Sequence, residues 1–156
     1  MSCSCNSCGT SSSDVDNTIV VSNCCGIPEP PGGWAGAIDF VGTLESSDLT
    51  AGAEITLYHM GQTTGILTPP NASQRLYLFS YQCVVGVAGQ FTLFEGTSTT
   101  EPGLWARIGA GSLAQNGGML HRMPNRYTRL GNTLFAKHSS IGRVDVVVHG
   151  KLVTET

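Results

Sequence analysis

Hydrophobic and polar residues alternate with a period of two over much of the chain. In the last such segment Val144, Val146 and Val148 share one face. Residues 53–60 and 90–95 show the same alternation. Because successive side chains of a strand point to opposite faces, the pattern predicts strands with one packed face and one face that meets water or a neighbour.

Residues 76–87 are apolar on both faces, which predicts a central strand covered on both sides. Further strands are predicted around Phe40 and over residues 105–108 and 133–137. Turn signals rich in Gly, Pro and Asn separate these segments, and we find no helical stripe. The sequence therefore predicts an all-β fold, an antiparallel β-sandwich or jelly roll of about eight or nine strands.

Residues 1–33 differ from the rest of the chain. They hold five of the six cysteines, and they end in a Pro- and Gly-rich stretch that suits neither a helix nor a central strand. One short apolar run, Thr18–Ser22, is suited to an edge strand. We therefore predict a Cys-rich flexible arm and linker over 1–33 and a β-sandwich domain over 34–156.

Charge is sparse and unevenly placed. Charged residues make up 12% of the chain, and the formal net charge is -3. Residues 1–74 carry seven acids and no Lys or Arg, whereas residues 75–156 carry all eight bases and four acids. Either both halves mix in one fold, or an acidic surface of one copy meets a basic surface of the next.

The same composition argues against several partners. The chain holds no apolar run of the roughly 18 residues that a membrane helix needs, so no membrane partner is expected. The start has neither basic residues nor an apolar stretch, so no signal peptide is expected. A net acidic chain with two lysines is a poor nucleic-acid binder.

The cysteines of the arm are the first candidate site. Thiolates at this spacing can share Zn²⁺, because short loops bring sulfurs within tetrahedral reach. Disulfide formation after release from the cell and a chemically idle tail are the alternatives. The candidate metal ligands are Cys3, Cys5, Cys8, Cys24 and Cys25. Cys83 lies in a predicted buried strand and is expected to be an inert core thiol.

Catalytic motifs are missing from the sequence. The four histidines are dispersed, and none has the spacing of a His-Glu-x-x-His metal site. Gly109-Ala110-Gly111-Ser112 is not a nucleophile elbow, and no phosphate-binding loop is present. We therefore expect no enzyme activity and no cofactor, zinc in the arm excepted.

The segment 121–129 is the one concentration of positive charge. It holds Arg122, Arg126 and Arg129, which we take as candidate partner-binding residues because guanidinium groups bind carboxylates in bidentate fashion. The functional interpretation is a loop that docks on an acidic protein surface. The alternative is a solvated loop with ordinary surface arginines.

The architecture resembles the small β-sandwich virion proteins of tailed phages, especially head decoration (cement) proteins. The features that carry the resemblance are the arm Met1–Gly33, the low-charge sandwich and a closing strand pair, 132–137 and 142–150. The resemblance implies a non-enzymatic virion structural protein that binds and stabilises a capsid lattice through oligomer contacts and its N-terminal arm. Such a protein is made in the host cytoplasm and located on the capsid surface. Its implied partners are a capsid protein and further copies of itself, with a trimer favoured.

Two other functions stay open at this point. Exposed aromatic residues of a β-sandwich can stack on sugars, so Trp34 and Trp105 allow a carbohydrate- or receptor-binding module. The third possibility is a metal-binding Cys-rich arm on a β scaffold. Apolar residues are also predicted on the outward faces of strands, which suggests that neighbouring subunits cover those faces. These residues are Tyr58, Met60 and Val147.

Overall fold

The computed structural model describes Pro30 and residues 33–60, 65–100 and 106–155, apart from the side chains at positions 124 and 125. Within these ranges the chain forms nine β-strands and no helix, which confirms the predicted all-β class and strand number. The strands are β1 (Ile38–Ser46), β2 (Ala53–Glu54), β3 (Thr56–His59), β4 (Gln74–Val85), β5 (Gly89–Gly96), β6 (Arg107–Leu113), β7 (Gly118–Tyr127), β8 (Thr133–His138) and β9 (Val144–Thr154).

The strands form two sheets in which every pairing is antiparallel. The five-stranded sheet has the order β3-β1-β9-β4-β7, and the four-stranded sheet has the order β2-β8-β5-β6. Strands adjacent in the chain are therefore often in opposite sheets. This is the interleaved order of a jelly roll, a double-sheet architecture found in viral capsid and lectin domains.

The hydrophobic core lies between the two sheets. The three valines predicted to share a face of the last strand are each at most 1% exposed, as are the inward apolar residues of β4 and β5. Burial of this apolar surface is the main source of stability. The largest fully buried side chains are Tyr81, Phe40, Phe91, Phe94, Leu49, Ile55, Leu76, Leu78, Leu93, Leu134, His138 and Val85.

The segment predicted as one strand over residues 53–60 divides at Ile55. β2 joins the four-stranded sheet and β3 joins the five-stranded sheet. Between them the Ile55 amide donates to the Leu134 carbonyl at 2.9 Å. Gly42 makes room for the crossing, because a Cβ atom there would lie 2.8 Å from Ile55 Cγ2. The chain thus passes from one sheet to the other along one side of the sandwich.

β4 is covered on both faces only in its first half. Tyr77 is 3% exposed although it points away from the core, because the Trp34 ring packs on it. In the second half Gln82 is exposed and Val84 is 43% exposed. The prediction of a doubly covered strand over residues 76–87 is therefore wrong for the second half, which lies on an open sheet face.

The last two strands do not pair with each other. β8 pairs with β2 and β5 in the four-stranded sheet, whereas β9 pairs with β1 and β4 in the five-stranded sheet. The expected closing strand pair is therefore wrong. Both strands contribute alternate residues to the same core, such as Ala136 and Val146, so they face each other across it.

The four-stranded sheet is largely covered on its far side as well. Phe94 and Phe135 are cross-strand partners whose rings stack with centroids 5.6 Å apart. The register places both on the side opposite the core, yet they are only 0% and 3% exposed. Thr92, on the same side, is 8% exposed. Little apolar surface is therefore left open on this sheet.

The first described residues run across the five-stranded sheet. The Ala37 amide donates to the Trp34 carbonyl at 3.1 Å, and β1 begins at Ile38. Because Trp34 packs against β4, this segment passes from above β4 to the start of β1, two strands away. Most of the predicted arm lies outside the described residues, so the division at residue 33 stays a prediction.

Candidate interaction surface

The outer face, meaning the side of the five-stranded sheet turned away from the core, belongs to the larger of the two sheets. Two cross-strand rows run through its centre and span all five strands in register. One row is Thr56, Thr43, Val147, Gln82 and Leu120. The other is Tyr58, Val41, His149, Ser80 and Arg122.

These two rows contain one permanently charged side chain, Arg122, at the edge of the sheet. Leu120 beside it is 66% exposed, and Tyr58 at the opposite edge is 36% exposed. The outward positions predicted for Tyr58 and Val147 are therefore confirmed. A sheet face with this few charges suits contact with protein better than contact with water.

Charged residues at the two ends of the outer face are paired with one another. At one end Lys151 Nζ lies 2.7 Å from Asp39 Oδ1. At the other end Arg143 Nε lies 2.9 Å from Asp145 Oδ2, and its Nη2 lies 3.3 Å from Glu45 Oε1. The paired charges lie on either side of the two central rows, in which Arg122 is the one permanent charge.

An aromatic corner lies where β4, β7 and the segment before β1 meet on the outer face. Trp34 contacts Tyr77 edge to face at a centroid distance of 5.2 Å, and Tyr77 lies 5.3 Å from Tyr127. The Arg75 guanidinium lies 4.9 Å from the centroid of the Tyr127 ring. Arg75 also forms two contacts with Glu155, Nε to Oε1 at 2.8 Å and Nη2 to Oε2 at 2.9 Å.

At the centre of the corner, Tyr77 keeps its proton to a higher pH than an isolated tyrosine. The Tyr77 hydroxyl donates to Glu155 Oε1 at 3.4 Å. Burial raises the pKa of Tyr77, and the neighbouring carboxylate raises it further. Tyr127 is 44% exposed, so its ring is available to a partner.

The basic segment is a strand rather than the predicted loop. Residues 121–127 belong to β7, which ends the five-stranded sheet and pairs with β4 alone among the described strands. The segment contains Pro124, and proline is confined to edge strands, strand starts and bulges. Here it falls beside an irregularity in the β4–β7 register, between Leu78 and Ser80, and on an edge strand.

The three candidate arginines do not form one patch. Arg122 is opposite Ser80 and exposed on the outer face, whereas Arg126 is opposite Leu78 and points to the other face. Arg126 Nη2 donates to the Arg107 carbonyl of β6 at 2.8 Å, so this side chain links the two sheets. Arg126 is therefore not the ordinary surface residue that a loop predicts, and Arg122 is the clearest partner-binding candidate.

Arg129 lies just after β7 and its backbone is fixed by a buried carboxylate. Glu95 is 4% exposed, and its Oε2 accepts hydrogen bonds from the Arg129 amide at 2.6 Å and from Asn132 Nδ2 at 3.1 Å. Thr128 Oγ1 accepts from the Leu76 amide at 3.0 Å. These bonds attach the end of β7 to both sheets. No sequence motif indicated this role for Glu95.

Glycines in β6 allow the side chains of β4 and β7 to pack closely against that strand. A Cβ atom on Gly109 would collide with the Tyr81 hydroxyl, and one on Gly111 would lie 2.7 Å from Met119 Cε. The Tyr81 hydroxyl contacts Met119 Sδ at 3.7 Å. Where the edge strands β6 and β7 meet, β6 thus contributes glycines and β7 contributes the large side chain of Met119.

The candidate metal ligands lie outside the described residues. Zinc binding, disulfide formation and a chemically idle tail therefore all stay predictions for the thiols of Cys3, Cys5, Cys8, Cys24 and Cys25. In the ranges that the structure does describe, no group of three or more His, Cys, Asp or Glu could hold a metal ion. Cys83 is fully buried, and burial raises its pKa to about 11, as expected of an unreactive thiol.

Two open clefts are lined by described residues of the sandwich. One of about 330 Å³ lies beside β2 and β3, with Glu54 as its one ionisable residue. The other, of about 300 Å³, is lined by Arg143 and Asp145 together with four neutral residues. Neither cleft brings a histidine and a carboxylate together. No helix among the described residues has the length and apolar character to span a membrane.

The fold and this surface define the chain as an antiparallel jelly-roll β-sandwich with one broad, weakly charged outer face. No family model, curated protein or solved structure matches the chain.

Proposed function

We propose that the protein is a non-enzymatic virion structural protein that decorates and stabilises a capsid lattice as a homo-oligomer, with a trimer favoured. The observation that carries the proposal is the outer face, five strands wide with Arg122 as the one permanent charge in its two central rows. Jelly rolls serve widely as capsid domains, and apolar positions such as Leu120 gain by being covered.

The oligomeric mass tests the first part of this proposal. Light scattering coupled to size-exclusion chromatography of the full chain should give a mass three times that of the 16.4 kDa monomer. Running it with and without reductant separates non-covalent association from disulfide linkage. A monomer at all concentrations would contradict the proposal.

A matched pair of variants locates the contact. Val147→Lys places a charge in the centre of the outer face, where burial in an interface would leave it unpaired, so the oligomer should dissociate. Ala110→Lys places the same side chain on the exposed far side of the four-stranded sheet and should leave the mass unchanged. Equal masses for the two variants would remove the outer face from the proposal.

Immunogold electron microscopy tests the location. An antibody raised against the purified chain should label the outside of virus particles produced by the cells that make the protein. Labelling of the cytoplasm with bare particle surfaces would contradict a decoration role.

A carbohydrate- or receptor-binding module is the second candidate, and the aromatic corner favours it. Tyr127 is 44% exposed and Trp34 lies close by on the same corner, so a sugar ring could stack there. A glycan array and a tryptophan-fluorescence titration of the intact protein test this function. A saturable signal that Tyr127→Ala abolishes, from a monomer, would favour this function over capsid decoration.

A further inference from the structure

The far edge of β7 is an open acceptor for another strand. β7 is ten residues long, and β4 is its one strand partner within the described part of the chain. The backbone N–H and C=O groups on its other edge are therefore available to an added strand. Such an edge normally needs a cover, because a flat exposed edge invites indiscriminate pairing.

The side chains along this edge indicate which residue types a pairing strand should carry. Leu120 is 66% exposed, and Met119 packs partly against the core from the inner side. Arg122 is exposed and makes no hydrogen bond or ion pair within the described chain. A complementary strand is therefore apolar at one end and acidic at the other.

We propose that residues 16–20 of a neighbouring copy add to this edge as an antiparallel sixth strand, which deepens the proposed function by naming the contact that joins the copies. The run Thr18-Ile19-Val20 has high strand preference, and Asp16 precedes it. The inference rests on the proposed homo-oligomer.

The register that pairs the two charged residues fixes the other pairs. Pairing Asp16 with Arg122 sets opposite charges side by side on the outer face, and Thr18 then lies opposite Leu120. On the inner side Ile19 lies opposite the partly buried Met119, and Asn17 lies opposite His121. Val20 lies opposite Gly118 and diagonal to Leu120, so its side chain can cover the exposed leucine. Cross-strand pairs of this kind are the unit of sheet stability.

Trp34 places the described start of the chain close to β7. The segment before β1 starts above β4, which is the strand next to β7. The eleven residues between Ser22 and Trp34 can span roughly 36 Å when extended. Pro28, Pro30 and Pro31 favour an extended chain over a reversal, so the segment reaches an adjacent copy rather than its own edge.

Site-specific photo-crosslinking tests the contact in the full chain. p-Benzoylphenylalanine in place of Leu120 should crosslink to the peptide that contains residues 16–20. With a mixture of ¹⁴N and ¹⁵N protein, the crosslinked peptides should include mixed-isotope pairs, which shows exchange between copies. The same probe in place of Tyr58, on the opposite edge of the sheet, should not capture that peptide.

Crosslinks from position 120 to any other segment would overturn the proposal, as would crosslinks confined to single-isotope pairs. If an oligomer forms but its crosslinks go elsewhere, strand addition is wrong while the proposed homo-oligomer stands. If the protein is a monomer at every concentration, both fail.

A charge swap tests the register. Arg122→Glu and Asp16→Arg should each raise the dissociation constant of the oligomer by about two- to fivefold, the range for one exposed ion pair. The double variant should restore the original value. Lys137→Glu, on the far side of the four-stranded sheet, should have no effect. Additive losses in the double variant would exclude the Asp16–Arg122 pairing.

Discussion

Glu95 shows how a single buried side chain organises one end of the sandwich. Its carboxylate accepts hydrogen bonds from the Arg129 amide and from the Asn132 side chain. Hydrogen bonds to a charged group are stronger than neutral ones, and an orphaned buried donor carries a penalty of its own. The turn that follows β7 is therefore held by a residue of β5.

Glu95→Ala should destabilise the protein by about 1–3 kcal/mol, because the Arg129 amide loses its acceptor. Asn132→Ala, which removes one donor and leaves the main bond in place, should cost about 0.5–1.5 kcal/mol. Chemical denaturation of both variants measures the difference. Equal losses would mean that the backbone bond contributes little.

Cys83 makes stability depend on alkaline pH. Burial raises its pKa from the ordinary 9.0 to about 11. Above pH 9 the thiol of the unfolded chain loses its proton while the folded thiol keeps it, so unfolding is favoured as the pH rises. The contribution is complete below pH 9 and declines up to about pH 11.

Denaturant titrations at pH 8, 9, 10 and 11 should show a loss of about 2–3 kcal/mol from this group. Tyr77 and Tyr81 add to the loss above pH 10, since burial raises the pKa of each. Cys83→Ala should flatten the curve between pH 9 and 10 and make it shallower between pH 10 and 11, where the tyrosines still contribute. An unchanged profile in that variant would assign the alkaline loss to other groups.

At the scale of elements, the close packing of β6 against β4 requires a glycine at position 109. Gly109 faces the Tyr81 hydroxyl so closely that a methyl group would collide with it. Gly109→Ala should therefore cost about 1–3 kcal/mol by overpacking. Adding Tyr81→Phe should recover part of that loss, because the hydroxyl is the nearest atom. Thermal melts of the single and double variants test this; a fully additive double variant would contradict it.

The sequence predicted strands well where one face is buried and the other open. β9 is the clearest case, because its alternation between core valines and outward residues survives unchanged in the structure. β4 shows where local pattern fails. Its residues are apolar on both faces, but what covers Tyr77 is Trp34, a residue distant in sequence whose contact no periodicity encodes.

The sequence could not predict which sheet each strand joins, for a similar reason. Residues 53–60 alternate without interruption, yet they divide between two sheets at Ile55. A strand that changes sheets keeps its period of two, so the crossing depends on non-local packing around Gly42. The outer face could be predicted in part, since Tyr58 and Val147 follow from alternation, whereas its cross-strand rows require the register.

At the scale of the whole molecule, the described sandwich has its strand pairing and its core from Ile38 onward. All nine described strands lie after residue 37, and the described core residues lie between Ile38 and Leu152. Deleting residues 1–29 should therefore leave the thermal midpoint within a few degrees of the full chain. It should remove the oligomer, because the proposed exchanged strand is lost.

Circular dichroism melts and light scattering of the deletion variant check both parts. A control deletion of residues 1–9 removes three cysteines but keeps the proposed strand, so it should retain the oligomer. An oligomer that persists without residues 1–29 would leave the outer face as its sole source. Loss of folding would instead give these residues a structural role.

The stacked Phe94 and Phe135 rings leave the molecule with two unlike sides. Their side of the sandwich has these aromatic rings buried, while the opposite side has few charged residues. If that opposite side binds a support as proposed, the protein should coat the support in a single layer, because its back offers no open aromatic surface to a further copy. One-sided binding of this kind would limit the thickness of the coat.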